Sequence, residues 1–236
     1  MAFVKLLTFF LLVLGFAVPA QAQMSMGAYL GSASANQDDI NTLIKRANTR
    51  ESGITTSQLT SALEISGFWS YRFSSSMIAL HFRPSYYWVT EKGSALSGGK
   101  DFEYSVSGFT FFPMLRFYLL ENSYIKFFGQ FGLGWGIAIG EIEEDSAKAK
   151  FSGSNMGNAG GIGAEFCFFS SSHCMALEGN FRYLPFERMT YSSGSGTFAE
   201  NSLDYPETTT EAEMDNRDVS VSLSGVVTSL GYTYYF

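Results

Sequence analysis

The stretch QLTSALEISGFWSYRF, residues 58–73, alternates by side-chain character along its whole length. Its odd positions are Leu59, Ser61, Leu63, Ile65, Gly67, Trp69, Tyr71 and Phe73, and its even positions are Thr60, Ala62, Glu64, Ser66, Phe68, Ser70 and Arg72. One face is apolar and ends in aromatics; the other is small and polar. Successive side chains of a β-strand point to opposite faces, so the stretch reads as a strand with an apolar medium on one side and a polar interior on the other. An amphipathic helix would repeat its apolar residues every three to four positions instead.

The same period runs through the rest of the chain. Ile78, Leu80, Phe82, Pro84, Tyr86 and Trp88 form one apolar face, opposite Ala79, His81, Arg83, Ser85 and Tyr87. From Tyr124 onward, Ile125, Phe127, Phe131, Leu133, Trp135, Ile137 and Ile139 alternate with Lys126, Phe128, Gln130, Gly132, Gly134, Gly136, Ala138 and Gly140. The inward glycines at 132, 134 and 136 are expected to leave space for long side chains crossing from opposite strands. Two segments change phase partway. Phe102, Tyr104 and Val106 give way to Phe109, Phe111, Leu115 and Phe117; Val219, Val221 and Leu223 give way to Val226, Leu230, Tyr232, Tyr234 and Phe236. Either a β-bulge near Ser107-Gly108 and another near Gly225 absorbs the extra residue, or the upper parts stand above the membrane, where facing rules relax.

Eight strands follow, at approximately 24–33, 58–73, 77–89, 102–119, 124–140, 156–169, 175–189 and 219–236. Connections alternate between short (74–76, 120–123, 170–174) and long (34–57, 90–101, 141–155, 190–218). The expected fold is all-β, an eight-stranded antiparallel up-and-down transmembrane β-barrel with both termini on the short-turn side, which is periplasmic in an outer-membrane barrel. Strands cross lipid only as a closed barrel, because every backbone polar group needs a partner there. A soluble eight-stranded barrel would turn its bulky apolar face inward, and here that face is too continuous for an interior.

Composition agrees. Charged residues are 16% of the 236, below the roughly 25% of an ordinary soluble domain, while aromatics reach 17%. A net charge of −7 gives no electrostatic case for nucleic acid. Lys5, the apolar run from Leu6 to Val18 and the small residues at Ala20 and Ala22 describe a signal peptide over 1–22, leaving a barrel domain at 23–236. Loss of Lys5 would take the net charge from −7 to −8.

The chain end, Ser229-Leu230-Gly231-Tyr232-Thr233-Tyr234-Tyr235-Phe236, resembles the C-terminal signal read by the barrel-assembly machinery, the match lying in Gly231, Tyr234 and Phe236. Pro113-Met114-Leu115-Arg116-Phe117-Tyr118 running on to Gly132-Leu133-Gly134, and Gly161-Ile162-Gly163-Ala164-Glu165-Phe166 running on to Ala176-Leu177-Glu178, resemble the small OmpA-like outer-membrane β-barrel domain family. The resemblance implies fold and location, with outer-membrane lipid and the assembly machinery as partners. It implies little about function, since that family spans adhesins, anchors, narrow pores and enzymes. No periplasmic domain is expected after Phe236, so a tethering role is not carried over.

The candidate site is the lumen. Arg72, Arg83, Arg116, Lys126 and Arg182 face inward against Glu64, Glu165 and Glu178, with His81 and Asn180 among them. Charges inside are tolerable only when paired and hydrogen-bonded, so these residues are expected to form an ion-pair network that plugs the barrel. The excess of bases leaves room for an anion. Cys167 and Cys174 both fall on the inward phase, and a hairpin centred between Ser170 and Ser171 would set them opposite each other within disulfide reach. Shifting that turn by one residue would misalign them.

Elsewhere the chemistry is sparse. Gly132-x-Gly134-x-Gly136 lies inside a strand with no helix after it, so it lacks the context of a dinucleotide loop. Neither His81 nor His173 falls in a long loop, no G-x-S-x-G elbow exists, and no catalytic residue, cofactor or metal is expected. Two long loops are acidic: Glu141, Glu143, Glu144 and Asp145, then Glu200, Asp204, Glu207, Glu211, Glu213, Asp215 and Asp218. They read as solvated surface, with bridging through divalent cations to anionic lipid as the sharper reading. In the first loop, Asp38 and Asp39 suit a helix N-terminus, and Ile40, Leu43, Ile44 and Ala47 share one face. That helix either caps the barrel mouth or offers its stripe to a neighbouring subunit or the membrane. The resulting expectation is a non-enzymatic structural or interaction protein with a filled lumen. The rivals are a narrow porin-like channel and a homo-oligomeric barrel ring enclosing lipid.

Overall fold

The computed structural model describes residues 23–34, 37–50, 55–73, 76–95, 100–196, 198, 211–214 and 217–236. The expected signal peptide and the loop acids Glu200, Asp204, Glu207 and Asp215 lie outside the described residues. The barrel wall consists of β1 (Gln23–Ser34), β2 (Ser61–Arg72), β3 (Ile78–Ser94), β4 (Asp101–Glu121), β5 (Ile125–Glu144), β6 (Ala147–Ser170), β7 (His173–Tyr183) and β13 (Gly225–Tyr235). Neighbouring strands pair antiparallel in chain order, and β13 closes the ring on β1 from Ser25↔Tyr235 to Ala33↔Val227. Helix α1 (Asp38–Arg50) follows β1. Above the ring, β9 (Thr190–Ser195) adds to β6, β8 (Pro185–Phe186) pairs with β12 (Val221–Ser222), and β10 (Glu213–Met214) pairs with β11 (Arg217–Asp218).

Facing follows the sequence period. On β2, Ala62, Glu64, Ser66, Phe68 and Ser70 are buried inside while Leu63 and Ile65 are exposed on the outer wall. The outer wall is a belt of exposed apolar side chains, among them Leu30, Phe131, Leu133, Ile162, Leu177, Phe181 and Leu230. Gln23 and Phe236 lie at the end carrying the short turns, where Phe236 N–H donates to the Met24 carbonyl at 3.0 Å and Tyr235 N–H to the Ser172 carbonyl at 2.9 Å.

The expected bulge near Ser107-Gly108 is absent. Pairing of β4 with β3 runs unbroken from Ile78↔Phe117 to Ser94↔Asp101, and the register shift on β4 lies at Tyr118/Leu120 instead. Even positions point inward throughout, so Phe102, Tyr104 and Val106 are buried in the upper lumen while Phe109 and Phe111 face out. The apparent phase change is a change of medium, not of geometry. Near Gly225 the inward parity also holds: Val219, Val221, Leu223, Val227 and Ser229 are all buried. There the strand is broken rather than bulged. Gly225 takes φ +147, and a Cβ on it would lie 2.3 Å from Ser34 Oγ, so only glycine fits at this start of β13.

Two long loops shrink accordingly. The segment expected as loop 141–155 is the top of a β5–β6 hairpin paired as far as Glu144↔Ala147, and β3 pairs with β4 up to Ser94↔Asp101. At this same end β7 stops at Tyr183, short of the expected 189. Long-loop residues on the outer face thus belong to a rigid extension of the wall.

Candidate functional site

The lumen is filled in two layers. The lower, polar layer centres on Arg116, which reaches inward from β4. Its Nη1–H donates to Glu165 Oε1 at 3.1 Å and its Nη2–H to Glu178 Oε1 at 2.7 Å, while Nε and Nη2 both donate to Gln130 Oε1. The guanidinium also lies 3.8 Å over the Phe128 ring. Arg83 Nη1–H donates to Glu178 Oε2 at 2.5 Å, and Arg182 Nη1–H to Glu64 Oε2 at 2.7 Å. Arg83 and Glu64 are 4.0 Å apart, so the two pairs join into one network. Asn180, linked to Gln130 at 2.8 Å, donates to Glu178 at 3.1 Å. Three guanidiniums thus meet three carboxylates, and every one of the six is buried.

His81 stacks on Phe68, with ring centroids 4.8 Å apart, and its Nε2 is 3.3 Å from Arg116 Nη2. The imidazole thus fills the space between the Phe68 ring and the Arg116 guanidinium.

Arg72 and Lys126 stand apart from this network. Both turn to Glu121, Arg72 at 2.7 Å and Lys126 at 3.6 Å, and they lie over the Tyr118 and Tyr235 rings respectively. The expected excess of bases therefore meets a carboxylate that sequence reasoning missed. Glu121 lies two residues past the expected end of its strand, where period-two counting had stopped. Between the two groups, the Tyr235 hydroxyl donates to Glu165 and lies 3.3 Å from the Tyr118 hydroxyl. Beside Tyr235 lies a Cys167–Cys174 disulfide with both cysteines buried and Cα atoms 4.1 Å apart. The hairpin turn lies at Ser171-Ser172, not between Ser170 and Ser171. A register shift between Phe166 and Ser170 absorbs the difference and leaves the cysteines facing.

The upper layer is apolar. Tyr87, Phe102, Tyr104, Phe112, Ile142, Phe151, Leu184, Phe186 and Leu223 form a core roofed by Ile40, Leu43, Ile44 and Ala47 of α1. The helix stripe is consumed inside its own barrel, which corrects the reading that it meets a neighbour or the membrane. The glycine expectation is corrected as well. A Cβ at Gly132 would lie 2.6 Å from Met114, at Gly134 2.4 Å from Phe112, and at Gly136 2.7 Å from Leu184, so these glycines admit apolar side chains and not arginines. A cavity of about 20 Å³ bounded by Glu64, Arg83, Ser85, Asn180 and Arg182 lies where the layers meet. That is room for about one water.

Three acids of the third loop are paired. Glu143 meets Lys148 at 2.7 Å, Glu141 meets Lys150, and Glu144 accepts from Arg50 at 2.9 Å and the Tyr104 hydroxyl at 2.8 Å. In the fourth, Arg188 holds Glu211 at 3.4 Å and Asp218 at 3.2 Å. These five acids thus have basic partners on the protein itself. Among the described residues no group of three or more His, Cys, Asp or Glu is arranged to hold a metal.

Wall and lumen together define an eight-strand barrel of outer-membrane type. The fold is similar to that of the outer membrane protein OprG of Pseudomonas aeruginosa, with a TM-score of 0.54 at 13% identity over 92% of this chain and 96% of OprG. Ail, the attachment invasion locus protein of Yersinia pestis, aligns at 16% identity over 92% of this chain and 99% of Ail, with a TM-score of 0.36. Neisserial surface protein A aligns at 10% identity over 91% and 99%, with a TM-score of 0.40. No protein-family profile and no curated protein sequence matches the chain. Likeness at this identity speaks for the fold alone, so the OmpA-like resemblance rests on its short motifs.

Proposed function

We propose that the chain is a non-enzymatic outer-membrane β-barrel of structural or interaction type, sealed to solutes, with residues 1–22 removed on export and both termini in the periplasm. The outer apolar belt supports membrane residence. Soluble monomers rarely expose contiguous apolar patches beyond a few hundred Å², and here the patch encircles the molecule. A single observation carries the sealed reading: a closed network of three arginines and three glutamates lies under an apolar core roofed by a helix, with about 20 Å³ left between them. A path for solute would have to break buried ion pairs, at several kcal/mol each, and unseat the roof. Function then resides on the outer face, on the β5–β6 hairpin and the strands beside it.

Single-channel recording in planar bilayers tests this. Wild-type protein should give no porin-sized steps, and Arg116→Ala, which leaves the apolar layer and its roof in place, should give none either. Steady porin-sized conductance from the wild type would overturn the sealed reading.

A further inference from the structure

On the outer wall a furrow of about 660 Å³ follows the β1–β2 seam. Its floor is the directly paired Ala28 and Gly67, followed by Met26 in the next outward row; one bank is Tyr232 and Tyr234 of β13, the other Trp69 and Phe82, whose rings stack at 5.4 Å. No charged residue lines it. The floor is open because two small residues meet there: a Cβ on Gly67 would find nothing nearer than the Gly27 carbonyl at 3.9 Å. The β2–β3 register also skips this level, pairing Ser66↔Ser85 and Trp69↔Phe82 but not the two rows between, where Pro84 has no N–H to donate. The furrow thus lies on a fully paired β1–β2 seam with the looser β2–β3 seam at its edge.

Its volume is that of a ligand site, and its position within the exposed belt restricts the occupant to something apolar. On the side of Gln23 and Phe236, the His173 ring packs against Tyr234 and its Nδ1 is hydrogen-bonded to the Tyr232 hydroxyl. Tyrosine and histidine with polar tips on apolar bodies suit the headgroup level of a bilayer. A second copy fits poorly, since a two-fold interface on this face would set furrow against furrow and leave a hollow. A flexible linear chain follows an apolar depression of this kind, with the Met26 side chain beneath it. We propose that the furrow holds one acyl chain of a glycerophospholipid from the leaflet on the side of Gln23 and Phe236, its headgroup level with His173 and Tyr234. This rests on the membrane-barrel reading.

The experiment is native mass spectrometry of protein exchanged from membranes into mild detergent, with lipid extraction alongside. Wild type should retain a glycerophospholipid, and Gly67→Leu, whose Cβ has no neighbour nearer than 3.9 Å, should fill the floor and lower retention about tenfold. Gly179→Leu is the control, because Gly179 faces equally open space on another strand, and it should keep the lipid. Each variant's folding is checked by heat-modifiable gel migration. A folded wild type without lipid, equal retention in Gly67→Leu, or retention of lipid A alone would each overturn the furrow assignment. A chain that stays soluble without detergent would overturn the membrane reading instead.

Discussion

Glu178 is the most heavily used carboxylate of the lumen. Its two oxygens accept from Arg83, Arg116, Gln130 and Asn180 at distances of 2.5 to 3.3 Å. Removing it leaves two guanidiniums buried without that carboxylate, and breaking such a pair costs about 3–5 kcal/mol. Glu178→Ala should therefore lower the urea midpoint of the refolded barrel by that equivalent. Arg72→Ala, at a partly exposed rim pair, should cost less than about 1 kcal/mol; equal losses in the two variants would contradict the layered lumen. The disulfide makes a second residue-scale prediction. Denatured, unreduced protein should show no reactive thiol and reduced protein two, and Cys174→Ser should cost about 2–3 kcal/mol for so short a loop. Two thiols labelled before reduction would remove the bond from the account.

Helix α1 is shaped by local rules before it meets the barrel. Asp38 and Asp39 occupy its first turn and Arg50 its last, each of the sign the helix dipole favours. Its seat is then fixed by side-chain amides: Asn41 both donates to and accepts from Leu59 backbone, Asn48 does the same with Thr56, and Gln37 with Ser222. Buried Ile44 anchors the stripe, and Ile44→Asp should detach the roof while leaving the wall closed. Hydrogen exchange over 38–50 would rise steeply with the gel shift unchanged; unaltered protection would mean that the amides alone hold the helix. The stripe was legible in the sequence, as was the inward or outward sense of β2, β3 and β5. What alternation does not reveal is which medium each face meets. Phe102, Tyr104 and Val106 are inward residues that look like lipid-facing ones, because above the belt the lumen itself becomes the apolar side. Glu121 and the lengths of β5 and β6 were missed for a related reason: the paired Glu141, Glu143, Lys148 and Lys150 read as solvated loop until cross-strand register brings them together.

At the scale of the whole molecule, closure rests on β13 meeting β1, and the chain's last N–H is part of it through Met24. Deleting Phe236 should leave unfolded protein in the periplasm, seen as lost heat-modifiable migration; normal assembly would argue against a role for the terminal aromatic. One side of the ring, β3 to β6, is also far taller than the apolar belt requires. Strand β5 has 20 residues, which at about 3.4 Å per residue and a tilt of roughly 40° rise about 50 Å, against an apolar band about 25 Å tall. The surplus is a stiff mast, fixed by the same hydrogen-bonded ladder as the buried wall and braced by β9 on its flank. Whatever meets its tip meets it at a set height and bearing above the lipid, with little left to order on contact. Selection can then act on reach and angle as well as on surface chemistry: two residues added to each arm would lift the tip by about 5 Å and swap no contact below.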